Sequence, residues 1–383
     1  MASTSPKLIP SQRDLFEIPN GVTYLNCATL SPQLRSVTAA GLDSVRAKAS
    51  PWGITPPDWF SDIETLRGLA ARVLEADAES VALVPSVSYG IAIAAANVRV
   101  ERGQSIVLLH EQFPSNVYAW RDLARRREAT VRTVQREAGQ SWTQALLETI
   151  DAKTAVVAVP QCHWTDGSLV NLAVVGEKAR SVGAAFVVDA SQSVGAYPLD
   201  LSTVQPDFLV TVGYKWLLGP YSVGYLYVSP HWRANGTPIE HSWLARKGSD
   251  DFASLVLYQD EFRSGARRFD YGECSNFVLV PMAIAALRQV LTWGVMNIQH
   301  SLSVLTAMIA REAAALGCVV PSERVGHMIG VRFSGGLPDQ LGRKLADERI
   351  YVSIRGNAIR IAPHLYNGEA DVERLFRALR TLV

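Results

Sequence analysis

The sequence predicts an α/β fold, with a large domain built on a mostly parallel sheet and a smaller α+β domain after it. Short apolar runs recur through the middle of the chain, and amphipathic or alanine-rich stretches separate the early ones. From about residue 277 the pattern changes to long helices. Continuous apolar strands that alternate with helices are typical of a parallel sheet covered on both faces.

Six apolar runs are the predicted strands of this sheet: SVALVPS (80–86), SIVLLHEQF (105–113), TAVVAVP (154–160), AAFVVDA (184–190), DFLVTVGY (207–214) and SVGYLYV (222–228). The stretches YGIAIAAANV (89–98) and NLAVVGEKARSVG (171–183) are predicted helices between them. Only KWLLGPY separates the last two strands, which is too short for a crossover helix. We therefore expect that pair to be antiparallel.

The second part of the chain begins with two predicted long helices, PMAIAALRQVLTWG (281–294) and NIQHSLSVLTAMIAREAAALG (297–317), with Gly294 as their boundary. Strand-like AIRIAP (358–363) and helical DVERLFRALRTL (371–382) follow. We therefore expect a segment 1–20 that packs on the small domain, a large domain 21–294 and a small domain 295–383.

Composition limits the classes of partner. The chain has 383 residues, 48% of them apolar, and a formal charge of +1, so nothing indicates nucleic acid as a partner. The run Arg125-Arg126-Arg127 is expected on the solvated face of a helix. From the sequence we expect no signal peptide and no membrane-spanning segment. Because Cys27, Cys162, Cys274 and Cys318 form no CxxC pair, we expect no metal site, reduced thiols and a cytoplasmic location.

Polar and aromatic side chains follow five successive predicted strands. In an open parallel sheet, ligands bind beyond the carboxyl ends of the strands. The residues there are Ser86 and Ser88, then Phe113, Pro114 and Ser115, then His163, Trp164 and Thr165, then Asp189 and Gln192, and finally Lys215. These ends therefore offer hydroxyls, an aromatic ring, a carboxylate, an amide and an amine at one edge of the sheet.

Each of these groups has a role in a site for pyridoxal 5′-phosphate (PLP). A partly buried lysine condenses with an aldehyde, and a carboxylate keeps a pyridine nitrogen protonated. An amide such as that of Gln192 can donate to the phenolate oxygen, and Phe113 can stack on the ring. Hydroxyls and free amides at the start of a helix suit the phosphate.

The block VVDASQSVGAYPLDLSTVQPDFLVTVGYKWLLGPYSVGYLYV (187–228) resembles the class V aminotransferases, a branch of the fold-type I PLP-dependent enzymes. That family includes cysteine desulfurases, kynureninases and isopenicillin N epimerase. The resemblance covers nearly the whole chain and implies PLP as the cofactor and a sheet of the seven-stranded type. It implies that Lys215 forms the Schiff base, that Asp189 faces the pyridine nitrogen and that Gln192 faces the phenolate oxygen.

Weaker blocks imply further contacts. PSVSYGIA (85–92) resembles the phosphate loop, which implies Ser86, the backbone of Val87 and Ser88 as ligands. EQFPSN (111–116) resembles the kynureninase-type version of its segment, which implies that Phe113 stacks on the cofactor ring. VTYLNCATLSP (22–32) resembles the family's opening segment. GARRFDYGECSN (265–276) resembles the segment that reaches the neighbouring subunit's phosphate, which implies a homodimer with Cys274 or Ser275 as that contact. AIRIAPHLYNGEADVERL (358–375) implies that Arg360 clamps a substrate α-carboxylate.

Residues that differ from the family pattern reduce the number of reactions that we expect. YVSIRGNAIR (351–360) contains no cysteine, whereas desulfurases carry their nucleophile shortly before the arginine. Tyr214, a predicted cofactor contact, stands where desulfurases carry histidine, and Trp164 stands near a family asparagine. We therefore expect transamination or C–S/C–C lyase chemistry at the α-carbon of a small amino acid, without the desulfurase nucleophile. Epimerisation and kynureninase-like hydrolysis are the alternatives.

Other interpretations remain open at this point. SVSYG (86–90) is a relaxed nucleophile elbow that would suit an α/β-hydrolase with Ser88 as nucleophile, but that function leaves Lys215 unexplained. A PLP-binding regulator without catalysis is another possibility, although no DNA-binding segment is present. Trp243 and Arg246 either line the mouth of the site or belong to a surface loop. Cys27 either faces the substrate or is a buried, inert thiol.

Overall fold

The computed structural model describes residues 5–137 and 139–382. Its strands are β1 (Thr23–Tyr24), β2 (Val81–Val84), β3 (Ser105–Leu109), β4 (Thr130–Val134), β5 (Thr154–Pro160), β6 (Ala185–Asp189), β7 (Phe208–Val212), β8 (Gly224–Val228), β9 (Ile329–Arg332), β10 (Ile350–Tyr351), β11 (Ser353–Arg355) and β12 (Ala358–Ile361). Its α-helices are α1 (Arg35–Lys48), α2 (Ser61–Val73), α3 (Val87–Asn97), α4 (Tyr118–Arg127), α5 (Trp142–Thr149), α6 (Leu172–Ser181), α7 (Leu201–Val204), α8 (Pro230–Asn235), α9 (Leu279–Trp293), α10 (Val295–Ala315), α11 (Leu341–Asp347) and α12 (Glu369–Leu382).

The central sheet has seven strands in the order β2-β8-β7-β6-β5-β3-β4. Four neighbouring pairs are parallel, and β8 is antiparallel to both β7 and β2. The predicted α/β class and the antiparallel β7–β8 pair are therefore confirmed. Because β2 and β7 both oppose β8, they run in the same direction, and their carboxyl ends share one edge of the sheet.

The strands are apolar throughout because both faces of the sheet are covered. In β5, Val157 and Val159 belong to one buried cluster, whereas Val156 and Ala158 belong to a second cluster on the other face. Successive side chains on a strand point to opposite faces, so a strand buried on both sides needs a continuous apolar run. The sequence prediction missed β4, which lies at the sheet edge and has exposed or half-buried side chains over most of its length.

The two long helices after the sheet are α9 and α10, and they meet at Gly294 as predicted. Gly294 has φ of +78°, a backbone conformation that a side chain disfavours, so glycine suits the sharp change of direction there. In the described part of the chain, no single helix is long and apolar enough to span a membrane. Helices α9 and α10 together pass such a test by length and composition, with a bend of 74° between them.

A second, three-stranded sheet of order β11-β12-β9 packs with α10, α11 and α12 around its own apolar cluster. The N-terminal segment contacts this part of the chain: the amide of Ile9 donates to Ser301 Oγ over 2.9 Å, and Phe16 packs edge-on against Tyr366. The domain limits at residues 20 and 294 stay a prediction.

Candidate functional site

A cavity of about 380 Å³ opens at the carboxyl edge of the central sheet. All five predicted strand ends contribute to its lining. The predicted site residues that line it are Ser86, Val87, Ser88, Phe113, Asp189, Gln192, Tyr214 and Lys215. The strand ends therefore converge, as expected for strands that run in one direction.

Lys215 follows β7 by three residues, on the loop that connects β7 to β8. Gly213 lets the two ends of this loop approach closely, because a Cβ there would lie 2.8 Å from the carbonyl oxygen of Val223. Burial lowers the pKa of the Lys215 amine to about 8, although the charge of Asp189 opposes the shift. A substantial share of this amine is therefore neutral near pH 8, which makes it a usable nucleophile and base.

Asp189 ends β6 and is buried at the floor of the cavity. The amide of Ser191 donates to its Oδ1 over 3.0 Å. Burial raises the pKa of the Asp189 carboxyl, and its hydrogen bonds with Ser191 and the charge of Lys215 oppose that effect. A buried carboxylate of this kind prefers a cationic or N–H partner.

Gln192 and Phe113 lie on other walls of the same cavity. One N–H of the Gln192 amide donates to the carbonyl of Ala28 over 3.0 Å, and its Oε1 accepts from the indole of Trp216 over 2.9 Å. These two bonds fix the amide and leave its second N–H for another acceptor. The ring of Phe113 lies 5.3 Å from Lys215 Nζ, measured to the ring centroid.

The start of α3 forms another wall. Ser86 is the N-cap residue: its Oγ accepts from the amide of Tyr89 and lies 2.9 Å from Ser88 Oγ. The first amides of a helix have no partner within it, so those of Val87 and Ser88 are available to an anion.

Arg360 on β12 is 1% exposed and does not line the cavity. Its Nη2 donates to Thr29 Oγ1 over 2.7 Å, and its Nη1 donates over 2.7 Å to the carbonyl of Trp164, a cavity residue. Among the described residues no carboxylate lies within 4.0 Å of this guanidinium, and its buried Nε has no hydrogen-bond partner. Burial, followed by the nearby charge of Arg355, lowers the pKa of Arg360 to about 9. An uncompensated buried cation next to a cavity suits an anionic ligand.

Sequence reasoning missed Tyr221 and Ser222, which also line the cavity. The rings of Tyr221 and Tyr214 lie 4.5 Å apart, and burial raises the pKa of Tyr214 to about 12. Ser222 has φ of +66°, which is unusual for a residue with a side chain. The turn sequence GPYS (219–222), which follows Lys215 closely, was the sequence feature that could have indicated these two residues.

Several other candidates lie outside the cavity. Cys274 and Ser275 are both buried and line no part of it; their role toward a partner's phosphate stays a prediction. Trp243 packs against Phe60 and Phe252, and Arg246 lies over Phe262, so both belong to a surface layer.

Cys27 is fully buried. Its Sγ lies 3.7 Å from the carbonyl oxygen of Lys215 and does not reach the cavity. Burial raises the pKa of this thiol. In this arrangement the thiol does not face a substrate.

Comparison with known proteins shows the family to which the chain belongs. Residues 58–375 match the family described as aminotransferase class V, and the chain belongs to that family. It is 26% identical to the uncharacterized aminotransferase YcbU of Bacillus subtilis, over 95% of each chain. It is 30% identical to a probable cysteine desulfurase of Methanothermobacter thermautotrophicus, over 84% of this chain and 83% of that protein.

Solved structures show the same fold. A C-DES mutant with glycine covalently linked to its PLP cofactor superposes with a TM-score of 0.88 at 19% identity, over 97% of this chain and 100% of that one. The protein is thus a fold-type I enzyme of class V, and its cofactor is PLP.

The residues of the cavity fit that cofactor. The cavity offers a neutralisable amine, a buried carboxylate that lacks a cationic partner at salt-bridge distance within the described chain, and the unpaired amides at the start of α3. These groups match, in chemistry, an aldehyde, a pyridinium nitrogen and a phosphate. No histidine of the described chain lines the cavity, so Ser88 lacks the histidine of a Ser-His-Asp triad.

Proposed function

We propose that this enzyme acts at the α-carbon and amino group of a small amino acid, by transamination or by C–S or C–C lyase chemistry. One observation carries the proposal. The cavity holds the buried amine of Lys215 and the buried carboxylate of Asp189. The guanidinium of Arg360, which has no carboxylate partner in the described chain, donates to the carbonyl of the wall residue Trp164. A base, a partner for a ring nitrogen and a carboxylate receptor are what such a reaction requires.

Each side chain has a distinct role in this proposal. When bound, PLP supplies a ring that withdraws electrons from the substrate's α-carbon. Lys215 anchors the cofactor and moves the proton at the α-carbon, a task for which a pKa of about 8 is suited. Asp189 keeps the pyridine nitrogen protonated, and Gln192 donates its free N–H to the phenolate oxygen. Phe113 covers the ring.

The phosphate is held by Ser86, Ser88 and the first amides of α3, with Tyr214 beside them. Arg360 receives the substrate's α-carboxylate, because a planar guanidinium can make two parallel hydrogen bonds to it. The existing bonds of Arg360 to Thr29 and to the Trp164 carbonyl fix the orientation of the guanidinium before the substrate arrives.

We further infer that the reaction does not pass sulfur to a cysteine of this chain. The hairpin of β11 and β12, whose second strand carries Arg360, contains no cysteine. Cys27 is buried outside the cavity, and Cys162 is a buried residue of the cavity lining. Burial raises the pKa of both thiols, which disfavours the reactive thiolate.

We also propose that the enzyme is a homodimer in the cytoplasm. Large apolar side chains are exposed in the segment before GARRFDYGECSN (265–276), including Val256, Leu257 and Tyr258. A contiguous exposed apolar run indicates a partner surface. Sedimentation velocity of the holoenzyme should give a dimer, and a monomer with full cofactor occupancy would contradict this. The cytoplasmic location is an inference from the cysteine spacing.

The substrate clamp is tested by comparing an amino acid with its decarboxylated amine. Wild type should prefer the acid, and Arg360→Ala should lose that preference while still binding the amine. Arg343→Ala, an exposed arginine on α11, is the matched control. Equal preference in wild type and Arg360→Ala would refute the assignment.

The reaction type is tested by a screen of amino acids, followed by mass spectrometry of the products. A keto acid or a released side-chain fragment supports the proposed reactions. An inverted stereocentre supports the epimerase alternative instead, and hydrolytic cleavage of the side chain supports the kynureninase-like one.

A further inference from the structure

A second arginine, Arg355, lies near Arg360 on the neighbouring strand of the β11–β12 hairpin. Strands β11 and β12 pair antiparallel, with Ser353 opposite Arg360 and Arg355 opposite Ala358. Paired residues point to the same face, and that face recurs every second residue. Arg355 and Arg360 are therefore diagonal neighbours on one face of the hairpin.

Both arginines contact Trp164. Arg360 donates to its carbonyl, and the guanidinium carbon of Arg355 lies 5.0 Å from the centroid of its indole. The indole itself is held by its N–H, which donates to the carbonyl of Glu111 over 2.6 Å, and by an edge contact with Phe113. Trp164 lines the cavity, whereas Arg355 and Arg360 do not, so both cations lie behind this tryptophan.

Neither guanidinium has a protein counter-charge. Within residues 5–137 and 139–382, no carboxylate lies within 4.0 Å of Arg355 or Arg360, and the Nε atoms of both are buried without a hydrogen-bond partner. The charge of Arg355 also disfavours the charged form of Arg360. Two like charges that are partly removed from water and held near each other destabilise the fold unless an anion bridges them.

Other clustered arginines in the chain are arranged differently. Arg67 forms a salt bridge with Asp270 at 2.7 Å, and Arg263 and Arg267 share Glu64. In these two clusters the chain itself supplies the carboxylates. Around Arg355 and Arg360 no described residue supplies one, which leaves room for the counter-charge of a ligand.

We propose that the substrate is an amino acid whose side chain carries a second anionic group, such as a carboxylate. Arg360 receives the α-carboxylate, and Arg355, held against Trp164, receives the group on the side chain. This inference rests on the proposed function, because it assigns the α-carboxylate to Arg360. It adds a class of substrate and a residue that selects it.

The anion pair can be tested without turnover, by titrating the holoenzyme calorimetrically with succinate and with butyrate. These acids have the same chain length and differ in the second carboxylate. We expect wild type to bind succinate about tenfold to a hundredfold more tightly, the range of a hydrogen bond between charged groups. Arg355→Gln should remove this difference in affinity without changing the affinity for butyrate. Arg355→Lys should keep part of the difference. Arg343→Gln, on the surface of α11, is the matched control and should behave as wild type.

Two outcomes would overturn the inference. One is equal binding of succinate and butyrate by wild type. The other is an equal loss of affinity for both acids in Arg355→Gln, which would mean that both arginines hold the same carboxylate. A parallel titration of the cofactor spectrum with glutamate and glutamine separates this inference from the proposed function. If neither amino acid changes the spectrum while succinate is still preferred, the proposed function fails and the anion pair stands. If both amino acids change the spectrum equally, the function stands and the selectivity fails.

Discussion

Two buried histidines lie beneath the lysine loop, and they should make the site sensitive to acid. The ring of Trp216, the residue after Lys215, lies 4.5 Å from the ring of His327 and 6.2 Å from that of His364. His327 donates through Nε2 to the carbonyl of Gln192 over 2.6 Å, and neither ring nitrogen of His364 has a hydrogen-bond partner in the described chain. Burial lowers the pKa of His327 to about 4 and, together with the charge of His327, that of His364 to about 3.

These shifts set the direction and size of the effect. An unfolded imidazole has a pKa near 6.5, so between about pH 6.5 and the folded values the unfolded chain binds more protons than the folded chain. The free energy of unfolding therefore falls as the pH drops through this window. One pKa unit corresponds to ~1.4 kcal/mol. Acidification from pH 7 to pH 5 should then cost about 2 kcal/mol for each histidine, since the loss begins near pH 6.5.

Urea denaturation of the holoenzyme at pH 7 and pH 5 measures this loss. The variant His364→Phe keeps an aromatic ring against Tyr366 and removes one titrating group, so its loss between the two pH values should be smaller by about 2 kcal/mol. His231→Gln, on the exposed helix α8, is the control for loss of one imidazole. If His364→Phe loses as much stability on acidification as wild type, His364 is not a buried neutral base and the reasoning is wrong.

Three further predictions concern other parts of the molecule. Asp270→Ala should lower the free energy of unfolding by about 3–5 kcal/mol in urea denaturation, because it leaves the fully buried Arg67 without its closest carboxylate; a loss under 1 kcal/mol would contradict this. Ser222→Gly should raise the thermal midpoint, because glycine adopts a φ of +66° without the ~1 kcal/mol that a side chain costs, and a lowered midpoint would contradict it. The double variant Cys27→Ala/Cys162→Ala should keep turnover within about threefold of wild type, since a buried thiol of raised pKa is a poor nucleophile; loss of turnover in a folded protein would assign a thiol to the chemistry.

Much of the fold could be predicted because the central strands are buried on both faces. Strands such as β5 and β7 read as uninterrupted apolar runs for that reason. Strand β4 could not be found in the same way, since Thr130, Arg132 and Thr133 face water or lie half-buried at the edge of the sheet. Edge strands carry polar residues, so their sequences resemble loops.

The convergence of the site was also predictable, because parallel strands deliver their carboxyl ends to one edge. Residues placed by loop conformation were harder to find. Tyr221 and Ser222 reach the cavity through a turn with positive φ, and the register of a short hairpin places Arg355 on the same face as Arg360. No periodic pattern of apolar and polar residues marks such positions. The buried environment of Arg360 likewise depends on residues as distant as Thr29.

The proposed chemistry depends on Lys215 as the residue that carries the cofactor. The most direct test is to reduce the holoenzyme with borohydride, digest it and map the modified lysine by mass spectrometry. We expect one reduced pyridoxyl adduct, on Lys215, together with loss of the visible absorption of the protein. An adduct on another lysine alone, or no adduct after incubation with PLP, would contradict it.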